Sequence, residues 1–217
     1  MSELPDRRHP VHVAPAEKGN ESIVVEVTVC TAGRAACLAN TPLHRLLHRA
    51  WETALHWRTG DYIIMPDHVH LFCSPGEWPP PSLKRWVSFW KTNATRAIRG
   101  FGPLADPWRE IVADPGGPRF TAAGGQGTVE RAPPPERLGG PRSTAAESGD
   151  SEGVDLLRRQ VVRAGDLWQR DFWDTQMRDR ATYDEKLSYV RMNPVRAGLV
   201  PEPGDWAYRG RVFDIGF

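Results

Sequence analysis

A chain of 217 residues, 40% hydrophobic and 25% charged, has the balance of one globular domain or of one domain carrying a large insertion. No apolar run approaches the roughly 18 residues of a membrane span, and the opening MSELPDRRHP lacks the apolar stretch of a signal peptide, so the sequence reads as cytoplasmic with no membrane partner. Three cysteines (Cys30, Cys37 and Cys73) without a CxxC pair exclude a disulfide framework and a zinc knuckle, and read as small buried hydrophobes.

The net charge of +1 conceals an uneven distribution. Residues 1–100 carry 12 Lys/Arg against 9 Asp/Glu, and within them the stretch 81–99 holds Lys84, Arg85, Lys91, Arg96 and Arg99 with no acid at all. A local basic surface therefore survives inside a nearly neutral chain, which keeps nucleic acid among the possible partners.

Residues 1–20 are polar and proline-bearing, a loose arm ahead of a single domain over 21–217. Ser22 to Cys30 (SIVVEVTVC) is β-branched and predicts a buried first strand. Thr41-Pro42 opens a helix, with a hydroxyl cap and proline at the first helical position; Leu43, Leu46, Leu47, Ala50, Ala54 and Trp57 give it one apolar face, and Thr59-Gly60 stops it. Tyr62 to Met65 and His68 to Cys73 follow as two strand segments around a Pro66-Asp67 turn. Ser82 caps a second helix to about Arg99, its core face made by Leu83, Trp86, Val87, Trp90, Ala94 and Ala97, with Lys84, Lys91, Thr95 and Arg99 on the other side.

From 101 to 153 there are 10 glycines and 8 prolines, a composition that predicts a disordered insertion interrupting the domain. A short helix over 154–165, an extended segment over Leu167 to Met177, and a helix from a Thr182 cap to Asn193 complete the order; Pro194 ends that last helix. The whole is an α+β chain in which a sheet is covered by helices.

Two constellations bear on chemistry. His68 and His70, two apart on a strand, point to one side and can grip a divalent cation; alternatively they are two solvent-facing histidines of an edge strand. Tyr189 and Asn193, about 6 Å of helical rise apart, share a face and can supply a nucleophile and an oxygen ligand, or simply pack in the core.

Together, IIMPDHVHLF (63–72), the helix SLKRWVSFWKTNATRAI (82–98), LWQRDFWDTQMRD (167–179) and YVRMNPVRAGLV (189–200) resemble the HUH single-tyrosine transposases, and most closely the REP-associated tyrosine transposases. The resemblance implies a ferredoxin-like antiparallel sheet with helices packed on one face. It implies Tyr189 as nucleophile and His68, His70 and Asn193 as ligands of Mg²⁺ or Mn²⁺. The implied partner is single-stranded hairpin DNA of REP-like palindromes, nicked and rejoined through a 5′-phosphotyrosine by a monomer or homodimer.

Lys84, Arg85, Lys91, Arg96, Arg99, Arg178 and Arg191 are the candidate phosphate contacts, with a solvated helix face as the plain alternative. Trp86 and Trp90 fit the core better than a base-stacking role, while Trp168, Phe172 and Trp173 fit either. Asp67 before the histidines and the long insertion depart from the family pattern. A non-catalytic hairpin-DNA-binding regulator with the same fold is the rival reading.

Overall fold

The computed structural model describes residues 23–114, 153–161 and 166–216. The arm expected over 1–20 and most of the insertion expected over 101–153 lie outside the described residues.

Strands β1 (Val24–Cys30), β2 (Trp57–Ile64), β3 (His68–Pro75), β4 (Trp173–Met177) and β5 (Arg209–Arg211) form one sheet in the order β4-β1-β3-β2-β5, with every neighbouring pair antiparallel. Helix α1 (Thr41–Thr53) joins β1 to β2, and α2 (Leu83–Ile98) follows β3. The first four strands with these two helices make a β-α-β-β-α-β unit of strand order 4-1-3-2, which is the ferredoxin-like arrangement.

Strand alternation explains the two faces. Val25, Val27 and Val29 of β1 join Val69, Leu71 and Cys73 of β3 in the larger core, against Leu43, Leu46 and Leu47 of α1 and Trp86, Val87 and Trp90 of α2. Val24, Ile63 and Phe72 turn the other way, into a smaller core with Tyr183, Leu187 and Val190 of helix α5 (Arg180–Arg191). The expected covering of one face holds for α1 and α2, and α5 lies on the opposite face. It is held there by Phe72 against Tyr183, ring centroids 5.0 Å apart, and by buried Asp61, which accepts hydrogen bonds from Tyr183 Oη at 2.8 Å, Arg191 Nη2 at 3.1 Å and Arg211 Nη2 at 2.7 Å.

Local corrections have local causes. Asn40, not Thr41, caps α1, its carboxamide oxygen accepting from the Leu43 amide at 2.9 Å, which puts Pro42 at the second helical position instead of the first. Trp57 belongs to β2, and Thr59-Gly60 lies within that strand at a shift of register, where the C-terminal tail pairs through Val212 and Phe213. A side chain at Gly60 would collide with Ile215 of that tail.

Ser82 caps α2 as expected, accepting from the Arg85 amide. The expected insertion does not begin at 101: helix α3 (Ala105–Ala113) buries Trp108 and Ile111 in the larger core. Residues 153–161 form α4, with Val154, Leu157 and Val161 buried. Helix α5 is capped by Asp179, whose carboxylate accepts from the Thr182 amide at 2.7 Å, so the cap lies three residues ahead of Thr182. Nor does Pro194 end the helical path: Met192 keeps helical geometry and a short helix, α6 (Asn193–Arg196), takes Pro194 in its first turn, where the missing N–H goes unneeded. The three cysteines are free and buried. No helix among the described residues is long and apolar enough to cross a membrane.

Candidate active site

His68 and His70 sit on β3, facing the side of the sheet that carries α5. Their Nε2 atoms lie 3.1 Å apart. Each Nδ1 is held from behind: His68 Nδ1 is 2.6 Å from Asp67 Oδ1, and His70 Nδ1 is 2.8 Å from Glu26 Oε1 on β1. Carboxylates only accept, so each Nδ1 carries a proton, and in the neutral imidazoles each Nε2 presents a lone pair. Two lone pairs facing each other at 3.1 Å cannot bond to one another. Two ligands about 2.1 Å from one cation at a right angle would stand about 3 Å apart, so the pair fits a shared cation with its tautomers already set. Among the described residues no third His, Cys, Asp or Glu joins them, so a further ligand has to be of another kind.

The carboxylates are themselves positioned. Glu26 is 3% exposed in the middle of β1. Burial works to raise its pKa, but the hydrogen bond from His70, the Lys186 ammonium 3.7 Å away and the Thr28 hydroxyl together hold it below the ordinary carboxylate range. Asp67 is paired with Arg34 Nε at 2.8 Å. Arg34 occupies the left-handed region (φ 57°), a strained conformation for a residue with a long side chain, and its Nη1 also lies 2.7 Å from Cys30 Sγ. Burial pushes the His68 pKa below that of a free imidazole despite Asp67, which favours the neutral ligand form.

Lys186 links this pair to the helix that carries the tyrosine. Its Nζ lies 5.6 Å from the Tyr189 ring centroid, one turn further along α5. Tyr189 is 54% exposed, so it is no core residue. Asn193, at the start of α6, is half-buried, and its Oδ1 accepts from Arg196 Nη2 at 2.6 Å.

Trp173 is 40% exposed on edge strand β4. Thr28 pairs with both His70 and Trp173, so the three residues share one cross-strand row and one face. With strands about 4.8 Å apart, the indole stands about 10 Å along the sheet from His70. Trp86, Trp90 and Trp168 are buried in the core.

The candidate phosphate contacts divide. Lys84, Arg85, Arg96 and Arg99 are exposed on α2, across the sheet from the histidines, and Arg178 is exposed just ahead of α5. Lys91 does not lie on the solvent face: it is 8% exposed, and its ammonium donates to the carbonyl oxygens of Gln169 at 2.5 Å and Arg170 at 3.4 Å, fixing the segment that enters β4. Arg191 is half-turned inward to Asp61 and works in anchoring α5. Glu26, Arg34, Lys186 and Arg196 are absent from the candidates read from sequence. Glu26 alone left a signal there, as an acid in phase with Thr28 inside an otherwise apolar strand.

No family model matches the chain. A Haemophilus influenzae protein, provisionally named a REP-associated tyrosine transposase, is 40% identical over 50 residues, which are 23% of this chain and 28% of that protein. The match thus spans under a third of the relative's length. A solved structure described as a REP-associated tyrosine transposase bound to a REP hairpin aligns over 96% of this chain and 82% of its own, with 15% identity and a TM-score of 0.45. Over those 50 residues the chain is similar in sequence to a REP-associated tyrosine transposase.

Proposed function

We propose that this protein is a metal-dependent enzyme that nicks and rejoins single-stranded DNA beside REP-like hairpins, with Tyr189 as nucleophile. The observation that carries the reading is the pair of Nε2 lone pairs converging at 3.1 Å, each backed by a carboxylate, on the face of the sheet where α5 presents an exposed tyrosine.

His68 and His70 would hold Mg²⁺ or Mn²⁺, with Asn193 as the third protein ligand. When bound, that cation offsets negative charge on the scissile phosphate and leaves positions open for its oxygens. The Tyr189 phenol oxygen attacks phosphorus, the bond from phosphorus to the 3′-oxygen breaks, the phenol gives up its proton, and the leaving 3′-oxygen takes one. The product is a 5′-phosphotyrosine and a free 3′-OH. The phosphodiester is exchanged for another phosphoester, so a 3′-OH can reverse the step without ATP. Lys186 supplies a fixed positive charge beside the phenol ring. Glu26 and Asp67 keep both imidazoles in the metal-binding tautomer.

The test is a denaturing gel of labelled hairpin single strands incubated with protein and Mn²⁺ or Mg²⁺. A DNA-linked protein band that requires metal and disappears in Tyr189→Phe is the expected result. Hairpin binding by the folded protein without adduct or cleavage would overturn the enzyme reading in favour of a hairpin-binding regulator.

A further inference from the structure

The residue that touches both ends of the proposed Tyr189–Asn193 pair is Arg196. Its guanidinium carbon lies 3.8 Å from the centroid of the Tyr189 ring, in cation–π contact. Its Nη2 donates to the Tyr189 carbonyl oxygen and, at 2.6 Å, to Asn193 Oδ1. That last contact is a short, charge-assisted bond to the very oxygen expected to serve a cation. A guanidinium and a metal ion repel, so a guanidinium on this oxygen weakens its hold on a cation.

The side-chain hydrogen bonds of Arg196 among the described residues run through Nη2, and the side chain is exposed. Nε and Nη1 have no acceptor among the described residues, so the guanidinium keeps donors for a phosphate oxygen. The short helix α6 fixes this geometry: Arg196 lies three residues beyond Asn193, so both side chains fall on one side of a single turn.

Resting on the tyrosine-nucleophile reading above, we propose that Arg196 is a latch between nucleophile and ligand. In the DNA-free protein it occupies the Asn193 oxygen and lies over Tyr189. The scissile phosphate draws the guanidinium away, and the Asn193 oxygen then becomes available to the cation. Metal binding and substrate binding are thereby coupled through one side chain.

Mn²⁺ titration of the DNA-free protein tests this directly. Arg196→Gln should bind Mn²⁺ about fivefold more tightly than the parent protein, a size expected for groups that share a partner. Loss of one positive charge would also tighten cation binding, so the same change is made in Asn193→Ala. The gain should vanish there; an equal gain in both backgrounds would overturn the latch and leave simple charge removal.

Hairpin DNA gives the second arm. In Tyr189→Phe, which cannot form the adduct, adding hairpin single strand should tighten Mn²⁺ binding, and adding Arg196→Gln should cut that increment to what direct phosphate–cation contact supplies. An increment of undiminished size would also sink the latch. With Tyr189 present, Arg196→Gln should slow adduct formation at saturating Mn²⁺ by about tenfold to a hundredfold, as a mispositioned group does, with hairpin affinity little changed. If the parent protein forms no adduct, the enzyme reading fails while the Mn²⁺ cycle still reports on the latch. If adduct forms and the cycle shows no coupling, the latch alone fails.

Discussion

Glu26 shows how much one buried side chain can decide. On β1 it faces the same way as Thr28 and His70, holds the His70 Nδ1 proton, and receives the Lys186 ammonium of α5. Asp67 does the same for His68 with Arg34 behind it. Removing such a partner from a metal-binding imidazole weakens metal affinity about 10- to 100-fold. Glu26→Gln and Asp67→Asn should therefore each reduce Mn²⁺ affinity by that order in calorimetric titration; unchanged affinity in both would show that the carboxylates do not orient the pair. Trp173 carries a second prediction at this scale. If its exposed indole stacks on a base flanking the cut, Trp173→Ala should weaken single-strand binding by about 1–3 kcal/mol and Trp173→Phe by much less. Equal losses in both variants would argue against stacking. That His68 and His70 share one face was legible because strand alternation is strict, while the roles expected of them and of Tyr189 came from the resemblance. Arg34 and Arg196 were not legible: Arg34 acts from a left-handed backbone position, and Arg196 through a turn of helix that Pro194 seemed to forbid.

At the scale of elements, sequence patterns read the cores well and the boundaries less well. Lys91 looked solvated because it is charged, yet α2 packs so closely on the segment entering β4 that its stem is buried and its ammonium caps two carbonyls. Helix α3 was hidden by averaging, since nine residues with an apolar face sit at the head of a stretch rich in glycine and proline. The seam between α1 and β2 contains a titrating element. His44 Nε2 lies 2.7 Å from Tyr62 Oη, and burial, with His48 nearby, pushes the His44 pKa down to about 4. Burial also lowers His48, against the pull of Glu52. The unfolded chain takes up a proton on His44 near its ordinary pKa of 6.5, whereas the folded one does not until about 4. The unfolded state therefore binds more protons in that window, and stability falls as pH drops through it, by up to about 3 kcal/mol. Urea unfolding between pH 7 and 4 should show this slope, and His44→Gln, which keeps a partner for Tyr62, should flatten it in part. A slope as steep in the variant would assign the effect elsewhere.

Across the whole molecule, the sheet divides structural work from the proposed chemistry. One face carries α1, α2 and α3 and the large core; the other carries the histidine pair, Trp173 and α5. The exposed cations of α2 thus stand a sheet's thickness from the proposed cut, which suits a folded DNA element reaching round an edge better than a strand lying flat. A different property follows from where the described chain breaks off and resumes. Asp114 is moored to α1 by Arg45, whose Nη1 donates to its carbonyl, and Gly153 packs so tightly on Asn40 at the start of α1 that a methyl group there would collide with it. Asn40 and Arg45 are about 7 Å of helical rise apart, so the 38 residues of 115–152 leave and return at one corner of the fold. Replacing them with about 8 residues of glycine and serine should raise unfolding stability by about 1 kcal/mol through the smaller entropy of loop closure, leaving adduct formation intact. A loss of fold on thermal melting would show instead that the segment carries contacts of its own. With its ends already joined by the scaffold, this part of the gene can lengthen, shorten or drift in composition while the face that carries the histidine pair stays as it was.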